Sequence, residues 1–226
     1  MQRWKAIIFS GNYLFRAYTS WMKNFPADFF FTKAISVVNT LRGKSPNDTA
    51  GLSTAEIQFF PEGGNLVNGL TSTIGFKITG KTGNGLYGRG AIINQQKDTL
   101  VRFESFHEGM GSFQLTPQKN ETYTAVLNLD NSVIIRKLPD ALNEGLNLRL
   151  TEPEKGKIRI SVHGTEEFSN SWVYLFVHTR HIIKKIQTGQ LNKGEAVFFV
   201  NSNELGDGIS TFTLFNASEQ PVCERL

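Results

Sequence analysis

Apolar residues recur at every second position over most of this chain. Ile57 and Phe59, Ile74, Phe76 and Ile78, Val101 and Phe103, Tyr123, Ala125 and Leu127, and Leu146, Leu148 and Leu150 alternate with polar or small residues. Ile158, Ile160 and Val162 continue the pattern, as do Phe212 and Leu214. A strand points successive side chains to opposite faces, so a period of two marks strands with one face on a core. Trp172 to Val177 is nearly continuous in apolar residues, as expected of a strand covered on both faces or of an inner strand. Between the runs stand Gly63-Gly64, Gly83-Asn84-Gly85, Gly109, Lys155-Gly156, Lys193-Gly194 and Asp207-Gly208. Turn signals at this spacing predict antiparallel sandwiches rather than βαβ units. No helical period outlasts a turn or two, so the expected class is all-β, with under about a tenth helix.

The remaining composition agrees. The 39% apolar and 19% charged residues of a 226-residue chain are those of a folded globular protein. Eighteen Phe against three Met, with 21 Gly, lean towards strands. A single cysteine, Cys223, excludes an internal disulfide framework and any multi-cysteine metal site. Residues 43–53 are polar and rich in Gly, Pro and Ser, as a linker is. Residues 138–145 form a second break, because Pro139 cannot join a central ladder. The expected organisation is therefore one sandwich at 54–138 and another at 142–226, each of about seven strands. Residues 1–42 precede them, with long strands around Tyr13–Met22 and Phe29–Val38.

Charge is uneven. Residues 1–45 hold seven of the 24 basic residues and one of the 20 acids, so the net charge of +4 reflects that segment. A basic aromatic stretch can meet nucleic acid or an anionic surface. The simpler expectation is solvated strand faces, with no nucleic-acid partner. The apolar run after Arg3 and Lys5 is four residues, Ala6 to Phe9, against the roughly 7–15 of a signal peptide. No run approaches the roughly 20 residues that span a bilayer. No export signal or span is expected.

Residue constellations for chemistry are weak. Gly83-Asn84-Gly85-Leu86-Tyr87-Gly88 matches the dinucleotide fingerprint in letters. The next residues, Arg89-Gly90-Ala91-Ile92-Ile93, alternate like a strand, whereas the pyrophosphate needs a helix N-terminus there. His178 and His181 lie three apart without a third ligand. Glu166 and Glu167 are adjacent and would face opposite ways in a strand, and no other carboxylate pair stands out. There is no serine elbow, and Cys223 between Val222 and Glu224 has the look of a buried apolar group. The residues predict no enzyme, cofactor or metal.

Several stretches resemble the macroglobulin-type (MG) domains of bacterial alpha-2-macroglobulin-like envelope proteins. The likeness extends to large Bacteroidetes proteins that carry such a region before a TonB-dependent receptor plug-like module. The first is Gly11 to Phe25, including Trp21, followed by Phe29-Phe30-Phe31, which is similar to the closing strands of a preceding MG domain. The second is Phe59-Phe60-Pro61-Glu62-Gly63-Gly64. The third is His107-Glu108-Gly109-Met110-Gly111-Ser112-Phe113, with Met110, Phe113 and Tyr123 expected to face the core. The fourth is Gly208 to Asn216, including Leu214 and Phe215, closing at Pro221 to Leu226. These cues cover most of the chain from about residue 11.

The resemblance implies tandem antiparallel sandwiches of macroglobulin or immunoglobulin-like type, with residues 1–42 as the end of a truncated preceding domain. It implies a cell-envelope location, and partners among other domains of a parent chain or other envelope proteins. Inhibitory macroglobulins use a Cys-Gly-Glu-Gln thioester and a bait region. Here Cys223 is followed by Glu224-Arg225-Leu226, so that trap is not expected. The leading expectation is a non-enzymatic structural or interaction module. The alternatives are a protease-inhibitor fragment and a carbohydrate- or peptide-binding sandwich. Exposed aromatic pairs at loop positions would favour sugar, whereas Trp172 is expected in the core.

Overall fold

The computed structural model describes residues 10–19, 30–39, 55–80, 83–129 and 132–226. Trp21 and the 43–53 linker lie outside the described residues. The first two strands, β1 (Gly11–Ala17) and β2 (Phe31–Val37), pair antiparallel from Gly11↔Val37 to Ala17↔Phe31 and, among the described residues, join no other sheet. Ser10 Oγ accepts a hydrogen bond from the Asn39 amide at 2.8 Å and closes their open end. Tyr13, Leu14, Phe15, Phe31 and Ile35 are exposed. Phe15 meets Phe31 edge-on at 6.4 Å, and Tyr18 stacks on Phe30 at 4.5 Å.

Seven strands follow as one sandwich: β3 (Glu56–Pro61), β4 (Ser72–Thr79), β5 (Arg89–Ile93), β6 (Thr99–Glu104), β7 (Met110–Leu115), β8 (Thr124–Leu129) and β9 (Ser132–Lys137). One sheet has the order β3-β4-β7 and the other β6-β5-β8-β9. Seven more build a second sandwich: β10 (Leu146–Glu154), β11 (Lys157–Gly164), β12 (Trp172–Thr179), β13 (Ile182–Gln190), β14 (Glu195–Asn201), β15 (Ser210–Phe215) and β16 (Pro221–Arg225). Its sheets run β10-β11-β14 and β13-β12-β15-β16, the same order moved on by seven strands. The chain is all-β, and all of these pairings are antiparallel.

The alternating sets face inward. Ile74, Phe76 and Ile78 of β4 and Ala125 and Leu127 of β8 are buried, as are Leu148, Ile160, Val162, Phe212 and Leu214 in the second core. The two cores differ in kind. Phe76, Phe103 and Phe113 form an aromatic cluster in the first, with centroids 4.8, 5.4 and 6.2 Å apart, whereas the second is mainly aliphatic. Tyr123 enters β8 buried. Its hydroxyl accepts the Gln118 amide at 2.7 Å and donates to Glu121 at 2.9 Å, as in the tyrosine corner of immunoglobulin-type sandwiches. Burial is the main cause that raises its phenol pKa.

Two expectations about direction are overturned. Met110 is 40% exposed, not in the core. Gly111, Phe113 and Leu115 are the inward set of β7, and a residue an odd number of places from Phe113 must face the other way. Trp172 is 50% exposed. Strand β12 is an inner strand of its sheet, as one reading of the run expects, but it is not covered equally on both faces: Val173, Leu175 and Val177 face the core, and Trp172 begins the opposite row.

Candidate functional site

The Pro61-Glu62-Gly63-Gly64 stretch lies where the sandwiches meet. Pro61 ends the edge strand β3, where a missing amide costs nothing in the ladder. The chain then turns through Gly63 (φ +86°) and Gly64 (φ +106°), a left-handed region that side chains with a Cβ disfavour. Gly63 is also pressed against its neighbour: a Cβ there would lie 3.2 Å from the Leu148 amide nitrogen. Only glycine suits both conditions.

This turn meets β10 and β16, an edge strand from each sheet of the second sandwich. The Glu224 amide donates to the Gly63 carbonyl at 3.3 Å, and the two residues form an antiparallel bridge. Opposite, the Leu150 amide of β10 donates to Glu62 Oε1 at 3.4 Å. Glu62 is only 6% exposed, and Arg225 Nε stands 3.8 Å from the same oxygen, supplying the countercharge that a buried carboxylate needs. One turn of the first sandwich thereby satisfies amides on two open edges of the second. Asn147 adds a bond from Nδ2 to the Thr71 carbonyl at 3.2 Å.

The connecting stretch is held on both sides. Leu142 donates to the Leu66 carbonyl at 2.8 Å, and Asn68 donates to the Leu142 carbonyl at 2.9 Å. Asn68 Nδ2 also reaches Asn143 Oδ1 at 3.0 Å. On the far side, the Thr165 amide donates to the Gly145 carbonyl at 3.0 Å, and the Gly145 amide donates to Thr165 Oγ1 at 3.2 Å. The break at Pro139 leads into a pinned strap rather than a free linker.

Cys223 lies beside this junction, 4% exposed, with its thiol donating to the Leu146 carbonyl at 3.1 Å. Burial pushes its pKa up to about 12. Thiol nucleophiles act as thiolates, so this environment opposes covalent chemistry.

The other sequence-derived residues do not join the junction. A Cβ on Gly109 (φ +74°) would lie 2.1 Å from the Ile78 carbonyl oxygen, so that loop also requires glycine. Gly111 pairs with Phe76 across β7 and β4, and Phe113 is in the aromatic core. Leu214 is fully buried in the second core, and Phe215 meets Phe176 edge-on at 6.4 Å. His178 and His181 stack at 6.2 Å, and the described residues contain no group of three or more His, Cys, Asp or Glu that could hold a metal. Gly83 to Gly88 leads into β5, as a strand connection rather than a phosphate loop. One carboxylate pair escaped the sequence reading. A hydrogen bond with Glu144, and that residue's charge, raise the pKa of Glu167. The pair is formed by the fold, from the strap and a 3-10 turn, and sits in the open on the surface.

Fold and junction define a tandem β-sandwich protein in which the first unit plugs the edges of the second. Among solved structures, the chain is similar to the native conformation of E. coli alpha-2-macroglobulin, at 16% identity and a TM-score of 0.28, over 75% of this chain. It spans 14% of that protein's length. It is also similar to the human OSCAR ligand-binding domain, at 9% identity and a TM-score of 0.29, over 74% of this chain and 92% of that one. The strand order, rather than these distant likenesses, carries the fold assignment. No protein-family model and no curated protein matches the chain.

Proposed function

We propose that this chain is a non-enzymatic structural and docking module of a larger alpha-2-macroglobulin-like protein of the cell envelope, without a thioester trap. The macroglobulin-type motifs in the sequence support that family reading, and those shared with Bacteroidetes TonB-plug-associated proteins support the finer one. The observation that carries the mechanical role is the junction. A spacer must hold its domains at a fixed angle, and here Glu62, Gly63, Asn68, Leu142 and Asn147 tie the sandwiches through backbone and side-chain bonds. Each contributes about 0.5–1.5 kcal/mol net, enough together to hold one orientation. The docking role is supported by the exposed aromatic and aliphatic side chains of the β1–β2 hairpin, since a lone two-stranded ribbon is marginal in water without a covering partner. Other domains of the parent chain, or a second envelope protein, are the partners of that surface.

The test is backbone 15N relaxation on the full chain. A spacer gives both sandwiches one rotational correlation time. Separate, faster tumbling of the 56–137 and 146–225 units would remove the mechanical reading.

A further inference from the structure

The outer face of the β6-β5-β8-β9 sheet carries a hollow of about 480 Å³ over strand β5. Its origin is a size mismatch across the register. Ala91, a single methyl group, stands between Arg102 on β6 and Val126 on β8. One step along the strands, Arg89 stands between Glu104 and Asn128. The short residue leaves the floor low, and the long ones form the walls. The volume is within the roughly 300–1,000 Å³ of small-ligand sites.

The two arginines of the hollow outnumber its one acid, Glu104. Arg89 and Arg102 are exposed and make no ion pair or hydrogen bond among the described residues. Glu104, the acid between them, accepts the Tyr87 hydroxyl at 2.6 Å. Two guanidinium groups on diagonal positions of neighbouring strands are roughly 7–8 Å apart at their Cβ atoms, so their forks can converge on one oxyanion. The register continues beyond the ladder, with the Ser105 amide donating to the Gly88 carbonyl at 2.9 Å. That continuation places Tyr87 opposite Phe106 on the same face, one step further along. Tyr87 is 63% and Phe106 81% exposed, and both line a second hollow of about 130 Å³. The face thus presents an aromatic pair, then Arg89 between Glu104 and Asn128, then Arg102 beside Ala91. At about 6.7 Å per two residues the stripe extends about 13 Å.

We infer that this stripe is a binding site for an acidic oligosaccharide of two or three uronate-type residues. The aromatic pair offers flat surfaces for the C–H face of a sugar ring, Asn128 offers an amide for hydroxyl groups, and the arginines take carboxylates. A peptide adding as a strand needs free backbone groups, whereas those of β5 are already used by β6 and β8 on either side. The site stands apart from the junction, so the inference does not depend on the spacer role.

The experiment is titration calorimetry of the full chain with galacturonate trimer. Parallel arms use a neutral glucose trimer, inorganic phosphate and a glutamate tripeptide, at low and physiological salt. The expected result is binding of the galacturonate trimer alone, weakened by salt. Arg89→Gln and Arg102→Gln each lower its affinity by about tenfold or more, and Phe106→Ala lowers it while leaving the salt dependence in place. All three positions are exposed, and an unchanged melting temperature verifies that each variant is folded. No binding of the galacturonate trimer, equal binding of the neutral sugar, or affinity unaffected by both arginine substitutions overturns the inference. Equal or tighter binding of the glutamate tripeptide replaces it with a peptide site, and equal binding of phosphate reduces it to a general anion site.

Discussion

At the scale of single residues, the covalent question turns on Cys223, the one cysteine of the chain. Folding raises its pKa from an ordinary value near 9 to about 12, with burial as the cause. The folded state therefore keeps a proton that the unfolded chain releases. The stabilisation is fully present below about pH 9 and is lost as pH rises towards 12, at about 1.4 kcal/mol per pH unit within that window. Urea unfolding of wild type and Cys223→Ala across this range should show the wild type losing stability faster. A constant difference between them would show that the thiol is not buried. The same burial predicts that iodoacetamide labels Cys223 only on unfolding. Incubation with a broad-specificity protease should accordingly give cleavage without an adduct. An adduct that survives denaturation and vanishes in Cys223→Ser would restore the inhibitor reading. The direction of single side chains was only partly legible. Phe113 could be placed from the alternation of β7, and the same alternation contradicts Met110 once the strand's phase is known.

At the scale of elements, the β1–β2 hairpin stands as a two-stranded sheet of its own among the described residues. Leu14 and Phe15 are neighbours in one strand and both are at least half exposed, so both faces of the ribbon present apolar surface. Deleting residues 1–42 should leave the two later sandwiches folded, raise solubility and reduce binding of a hydrophobic dye. Loss of cooperative unfolding in that deletion would make the segment integral to the first sandwich. Strand existence was legible for most elements because each keeps its own period-two pattern, as β4 and β11 do. The exposure of Trp172 was not. A strand half-buried on its outer face, with Tyr174 and Phe176 beside the core row, looks in sequence like one covered on both sides.

At the scale of the full chain, the junction should couple the stabilities of the sandwiches. Calorimetry of the wild type should give one transition. Gly63→Val forces a β-branched side chain into a left-handed turn beside the Leu148 backbone, at a cost on the order of 2 kcal/mol. That variant should separate the unfolding of the two units into resolvable transitions. Two transitions already present in the wild type would show that the contact is too weak to matter.

Features that depend on neighbours along the chain could be read from residue order. Alternation set strand faces and class, glycines at Gly63 and Gly109 marked turns, and Glu224 after Cys223 departs from the Cys-Gly-Glu-Gln pattern. Features that depend on pairing between distant segments came from the folded chain alone. Glu62 meets Leu150 and Arg225, Glu144 meets Glu167, and Arg89 and Arg102 share a hollow only because strand register aligns them. A period of two tells which face a residue is on, whereas cross-strand and interdomain neighbours are set by register and by the packing of two sandwiches.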